Sequence, residues 1–245
     1  MTSSGNTILI TGGSSGIGLA LAKRFIQLKN KVIITGRDKA KLEQVKSECP
    51  GIIIFACDLA NADSLDELVL FTEQEHADLN ILVNNAAVQY NYNFIEETEL
   101  IYKIDYEVTA NFTAPVKLTA LLLPLLLKNK NSAVINVSSG LMIAPKKSAS
   151  VYCATKSAIH SFSKTLRYQM AEQGIRVFEI IPPLVETPMT AGRGRSKISP
   201  DKLVDEFIRN FKKNKSESYI GKSKILKLIS RISPSIAGSI MKNGL

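Results

Sequence analysis

The chain predicts a single α/β domain: a doubly wound parallel sheet with helices on both faces. Three observations lead there. Short apolar runs rich in β-branched residues recur along the chain, segments long enough for helices separate them, and the first run passes straight into a glycine-rich turn that opens a helix.

Taken in order, residues 8–10 form the first run, the glycine-rich turn follows, residues 19–28 carry a helical stretch, and residues 32–35 form the second run. Further runs at 52–56, 81–83, 134–137 and 177–181 continue the cycle. None alternates apolar with polar residues, as expected of strands buried on both faces of a parallel sheet. From about residue 188 the alternation stops, and a polar stretch at 191–199 precedes a charged helix at 200–215. The expectation is one domain over residues 1–245, with an insertion at about 188–220 lying over the site as a lid. No Pro/Gly/Ser-rich linker divides the chain.

With 245 residues, 45% of them hydrophobic and 22% charged, the composition is that of an ordinary globular protein, which excludes disorder, collagen and a disulfide-stapled miniature. Cys49, Cys57 and Cys153 form an odd set without metal-ligand spacing, so a reduced, cytoplasmic protein without a metal site is expected. The leucine-rich run at 121–127 is interrupted by Pro124 and falls short of the about 20 apolar residues that cross a bilayer. A chain neither secreted nor membrane-spanning is expected. The net charge of +9 resides in the tail: residues 1–192 are balanced, whereas residues 193–245 hold 13 basic against 4 acidic side chains. A neutral body with a basic tail suits contact with anionic lipid, nucleic acid or an acidic substrate, or equally a solvated basic surface; no nucleic-acid partner is expected, and peripheral membrane contact is kept open.

TGGSSGIG at residues 11–18 joins the first strand to the first helix. Its glycines permit a tight turn and close approach of backbone N–H groups to a phosphate, at a helix N-terminus that attracts anions. The second strand ends at Arg37, where dinucleotide-binding folds commonly carry an acidic residue for the ribose hydroxyls. Arginine attracts a 2′-phosphate, so NADP is favoured over NAD. Asp58, after the third strand, either accepts from an adenine amino group or caps the following helix.

Tyr152 and Lys156 stand four apart in a helical stretch and share one face, with Ser139 thirteen residues before the tyrosine at a strand end. A phenol titrating near 10 is a poor base at neutral pH, and a neighbouring ammonium is expected to lower that value. The serine hydroxyl is placed to hold a substrate oxygen.

With these residues identified, the sequence resembles the short-chain dehydrogenase/reductase family from about residue 7 to 190. TGGSSGIG matches its TGxxxGxG, NNAA at 84–87 its NNAG, and Ser139, Tyr152 and Lys156 its S…YxxxK. The resemblance implies a seven-stranded single-domain Rossmann sheet and NAD(P)-dependent interconversion of a carbonyl and an alcohol. It implies Asn111, thirteen residues before Pro124, as a fourth catalytic position holding a water in a proton relay to Lys156. It further implies Gly12, Ser14, Ser15, Gly16, Ile17 and Gly18 around the pyrophosphate, Arg37 at the 2′-phosphate, Asp58 and Leu59 at the adenine, and Asn85 with Ala86 at the ribose. Lys156 then bridges the nicotinamide ribose, and Val185 and Thr187 lie against the carboxamide. Family members often form dimers or tetramers through the helices that here carry residues 118–127 and 152–168. Three departures stand out: Pro183 replaces a glycine, Ala87 replaces the last glycine of NNAG, and Ser15 stands where many NADP-using relatives carry a basic residue.

Leu141, Met142 and Ile143 with the segment 88–94 are expected to line a pocket for an apolar or amphipathic carbonyl substrate. Ile225, Leu226, Leu228, Ile229 and Ile232 recur at helical spacing between Lys222, Lys224, Lys227 and Arg231, so residues 222–245 read as a basic amphipathic segment that docks as a lid or lies on a membrane. PPLVETP together with this tail is similar to a bacterial branch of the family associated with cell-envelope alanylation genes. A non-catalytic nucleotide-sensing protein on the same fold is the alternative function.

Overall fold

The computed structural model describes residues 1–244. Seven parallel strands form one sheet: β1 (Thr7–Thr11), β2 (Lys31–Gly36), β3 (Ile52–Ala56), β4 (Leu79–Asn84), β5 (Ala133–Val137), β6 (Arg176–Ile181) and β7 (Glu217–Tyr219), in the spatial order β3-β2-β1-β4-β5-β6-β7. The order reverses beside β1, and α/β sheets bind ligands at the carboxyl ends of the strands flanking such a point.

Alternate residues of one strand face opposite layers. On one side Ile8, Ile10, Ile34, Val83 and Ile180 pack against α1 (Gly16–Gln27), α2 (Lys39–Glu48) and α7 (Pro200–Lys212). On the other, Leu9, Ile33, Leu82, Val134 and Val177 meet α3 (Ala62–Glu75), α5 (Ala114–Lys128) and α6 (Ser150–Met170). Side chains start several helices: Asp38 accepts from the Lys41 N–H at 3.0 Å, and Asn61 from Ser64 at 2.9 Å.

The stretch at 188–220 divides into three parts. Residues 188–199 form a loop closed at its base, where Glu186 N–H donates to the Ile198 carbonyl at 2.9 Å and Ile198 N–H to that of Leu184 at 3.2 Å. α7 buries Leu203, Val204, Phe207, Ile208 and Phe211 in the sheet's own core. β7 is the edge strand. The amphipathic tail is two helices, α8 (Lys222–Ile232) and α9 (Pro234–Met241), separated at Ser233, whose hydroxyl caps α9; its last residue, 245, lies outside the described residues.

α4 (Leu100–Val108), a π-helical turn (Thr109–Thr113) and α5 run on as one helix. By length and composition it reaches that of a membrane span, which corrects the shorter length read from the leucine run. Leu118, Leu122 and Leu126 are fully buried against the sheet, so core packing accounts for its apolar character.

Candidate active site

The glycine turn takes the conformation its residues allow. Gly12 and Gly16 hold φ of 65° and 54°, and a Cβ at position 18 would stand 2.2 Å from the Gly12 carbonyl oxygen, so only glycine lets α1 begin against the loop. Asn85 braces this loop from β4's end, its Nδ2 donating to the carbonyls of Thr11 and Gly12 at 2.8 and 3.0 Å. Thr11 Oγ1 accepts from the N–H groups of Asn85 and Ala86, both at 3.0 Å. The amide nitrogen expected at the ribose is therefore engaged in holding the turn.

A groove of about 260 Å³ follows this edge. Every residue expected around the dinucleotide lines it except Gly18, packed behind the turn, and Val185, which faces a second cavity. At the far end Arg37 donates to the Tyr106 hydroxyl and lies 5.6 Å from that ring's centre, while the hydroxyl donates to the Asp58 carboxylate at 3.2–3.3 Å. Among the described residues Arg37 has no carboxylate partner. Asn61, not Asp58, caps α3; Asp58 instead accepts from the Ala60 N–H at 3.0 Å. The sequence reading did not find Tyr106, although its stacked i, i+4 partner Tyr102 was a signal. Left-handed glycines, a cradle closed to side chains and an unpaired arginine suit a phosphorylated dinucleotide.

Ser139 follows β5 and caps a short 3₁₀ turn (Gly140–Met142), its Oγ accepting from the Leu141 N–H at 3.1 Å. One face of α6 presents Tyr152 and Lys156, both buried. Lys156 Nζ donates to the Val137 carbonyl at 2.8 Å and lies 5.7 Å from the centre of the Tyr152 ring. Burial pushes this ammonium down to about 8, opposed by the Glu179 carboxylate. Burial likewise pushes the Tyr152 phenol above its ordinary value, with the Ser139 hydroxyl and the Arg193 charge working the other way. The lowering expected from the lysine is not found: Lys156 is directed at the Val137 carbonyl, and burial sets the direction of the Tyr152 shift.

Asn111 sits in the π turn, a feature often found at functional sites. Its Oδ1 accepts from the Val88 N–H and its Nδ2 donates to the Val88 carbonyl, both at 2.8 Å, with Thr155 Oγ1 at 3.3 Å. The side chain fixes the segment after β4, and among the described residues no hydrogen bond joins it to Lys156.

Beyond Tyr152 a second cavity of about 560 Å³ opens between the 188–199 loop, the segment after β5, and α8 and α9. Leu141, Pro183, Leu226, Ile229 and Met241 give it an apolar wall. Met142 and Ile143 do not line it; Ile143 packs in the small cluster that anchors α8 and α9. Pro183 closes against Gly221, before α8, where a Cβ would lie 3.5 Å from its Cγ. Tyr152 borders both cavities.

Comparison with known proteins places this geometry. The short chain dehydrogenase profile matches residues 6–197. The uncharacterized oxidoreductase DltE of Bacillus subtilis is 42% identical over 224 residues, covering 89% of this chain and 88% of that protein, in line with the branch likeness of PPLVETP and the tail. A fatty acyl-CoA reductase of Acinetobacter baylyi is 31% identical over 250 aligned residues, covering 98% of this chain and 84% of that one. A short chain dehydrogenase from Burkholderia cenocepacia J2315 in complex with NADP superposes with a TM-score of 0.86 at 21% identity, covering 98% of both chains. A short-chain dehydrogenase from Sphingobium yanoikuyae in complex with NADPH gives 0.81 at 26% identity over 95% of both.

Proposed function

The chain belongs to the short-chain dehydrogenase family of oxidoreductases, and on that premise we propose that it interconverts a carbonyl and an alcohol with NADP(H), NAD(H) being the weaker alternative. The observation that carries the proposal is the position of Tyr152, at the junction of a dinucleotide-shaped groove and an apolar cavity. When bound, the dinucleotide supplies or accepts the hydride.

The protein's own residues supply the proton chemistry. A phenol held above its ordinary value is fully protonated at neutral pH, which suits donation to the oxygen of a carbonyl being reduced. Ser139 holds that oxygen, and the Lys156 ammonium stabilises the phenolate left behind. Since the Asn111 amide is taken by Val88, the relay is assigned to the main chain of its π turn. Arg37 selects the 2′-phosphate, in keeping with the NADPH held by the Sphingobium relative. The loop at 188–199 serves as the lid. Exposed Leu121, Leu127 and Tyr168 on α5 and α6 support a homodimer or homotetramer.

Tyr152→Phe tests this. NADPH-dependent reduction should fall by about 10²–10⁴-fold, the usual worth of general acid–base catalysis, while NADPH affinity is unchanged. Retained turnover would overturn the assignment.

A second reading, that the enzyme works at a membrane surface, is favoured by one observation. α8 and α9 leave Ile225, Leu228, Ile232, Ile236 and Ile240 exposed among lysines and arginine, and Ile225 and Ile240 also line the larger cavity. A substrate dissolved in lipid would enter from that side.

A further inference from the structure

The larger cavity is apolar along one wall but carries three cations, Lys146, Arg193 and Lys222, and no carboxylate among the residues that line it. Among the described residues none of the three is in an ion pair. Elsewhere on the same face cations do find acids: Lys224 pairs with Glu206, and Lys227 with Glu217 at 3.5 Å. Arg193 is the most constrained of the three. Its Nη2 reaches the Gln89 carbonyl at 3.5 Å, the outer limit of a hydrogen bond, and its Nη1 is buried without any acceptor. The loop that bears it is tied at its base by the pairing of residues 184–186 with 198, and by Lys197, whose ammonium donates to the Thr190 carbonyl.

Three cations around one apolar cavity, with no carboxylate among its lining residues, leave a positive field that an anionic ligand would compensate. We infer that the cavity takes an organic anion, an oxo compound whose apolar chain lies along Leu141, Leu226, Ile229 and Met241 and whose carboxylate or phosphate is bound by Arg193. This rests on the carbonyl–alcohol reading for the reacting end of the molecule only. A guanidinium binds either oxyanion through charge-assisted hydrogen bonds, and the ammonium groups of Lys146 and Lys222 line the same cavity. The dinucleotide's phosphates are a poor match for Arg193, because the groove that would hold them has its own glycine turn and Arg37 and is not lined by Arg193. Arg193 and Tyr152 line the same cavity, so the anionic group and the reacting carbonyl would share that space.

Calorimetric titration of the full chain with octanoate, octyl phosphate and 1-octanol tests the inference without requiring turnover. At least one anion should bind ten-fold or more tightly than the alcohol, and whichever anion binds more tightly identifies the oxyanion the site prefers. Arg193→Leu should bring both anions to the level of octanol, and Arg193→Lys should keep part of the preference. NADPH affinity should be the same in all three proteins. Octanol binding as tightly as both anions would overturn the inference in the wild-type protein alone. An anion preference that survives Arg193→Leu would also overturn it, as would a matching loss of NADPH affinity in that variant. Should the anion preference hold while NADPH fails to reduce 3-oxooctanoate, the carbonyl–alcohol reading fails and the anion site stands.

Discussion

Glu107 is fully buried on α4, where its Oε1 accepts from the Tyr90 N–H at 3.1 Å and its Oε2 has no partner. Burial pushes its carboxyl up to about 7. A carboxyl raised in the folded state opposes folding once the unfolded chain would ionise it, so stability falls as pH rises from about 4.5 to about 7. Unfolding by denaturant at pH 5 and pH 8 should show Glu107→Gln relieving a loss of about 2–3 kcal/mol that the wild type suffers over that interval. Equal pH slopes in the two proteins would contradict this. Glu107 was not legible in the sequence, nor were Tyr106 and Arg193, because their surroundings are made by segments distant in the chain. Ser139, Tyr152 and Lys156 were legible because their spacing is local to one strand end and one helix face. The sequence also could not show that Asn85 and Asn111 spend their amides on backbone groups, since an asparagine's partners depend on tertiary placement.

Six strands stood out as short, mostly apolar runs, because a strand covered on both faces is largely apolar, and Asn136 and Glu179 interrupt two of them as buried polar residues. β7 did not: Glu-Ser-Tyr is short and polar, and it is a strand only because β6 offers it an edge. For the same reason 188–220 looked like one insertion, although the Phe207 and Phe211 rings lie in the core. α8 and α9 bury little more than Leu226, Ala237 and Met241, and Leu228 and Ile232 remain 61% and 78% exposed. Centrifugation with vesicles containing phosphatidylglycerol should therefore pellet the full chain. The double variant Leu228→Glu, Ile232→Glu should stay in the supernatant. Equal pelleting of both would remove the membrane reading while leaving the active site untouched.

For the molecule as a whole, one sheet gathers five of the candidate site's segments at its carboxyl edge, and α6 adds Tyr152 and Lys156. The glycine turn follows β1, Arg37 follows β2, Asp58 follows β3, Asn85 follows β4 and Ser139 follows β5. Of the basic residues beyond 192, which carry the net charge of +9, Arg193 and Lys222 line the larger cavity, whereas Lys212, Lys213 and Lys215 lie at the amino edge of the sheet, just before β7. The proposals join in one picture: a phosphorylated dinucleotide in the groove, an anionic substrate in the larger cavity beside Lys146, Arg193 and Lys222. The most direct test is a thermal-shift titration with NADPH and NADH on the wild type and on Arg37→Ala. Saturation a hundred-fold above the dissociation constant stabilises a protein by about 2.7 kcal/mol, which for a domain this size raises Tm by roughly 5–10 °C. NADPH should give that shift at much lower concentration than NADH in the wild type, and Arg37→Ala should bring the two together. An equal response to both dinucleotides in the wild type, or none to either, would contradict the account.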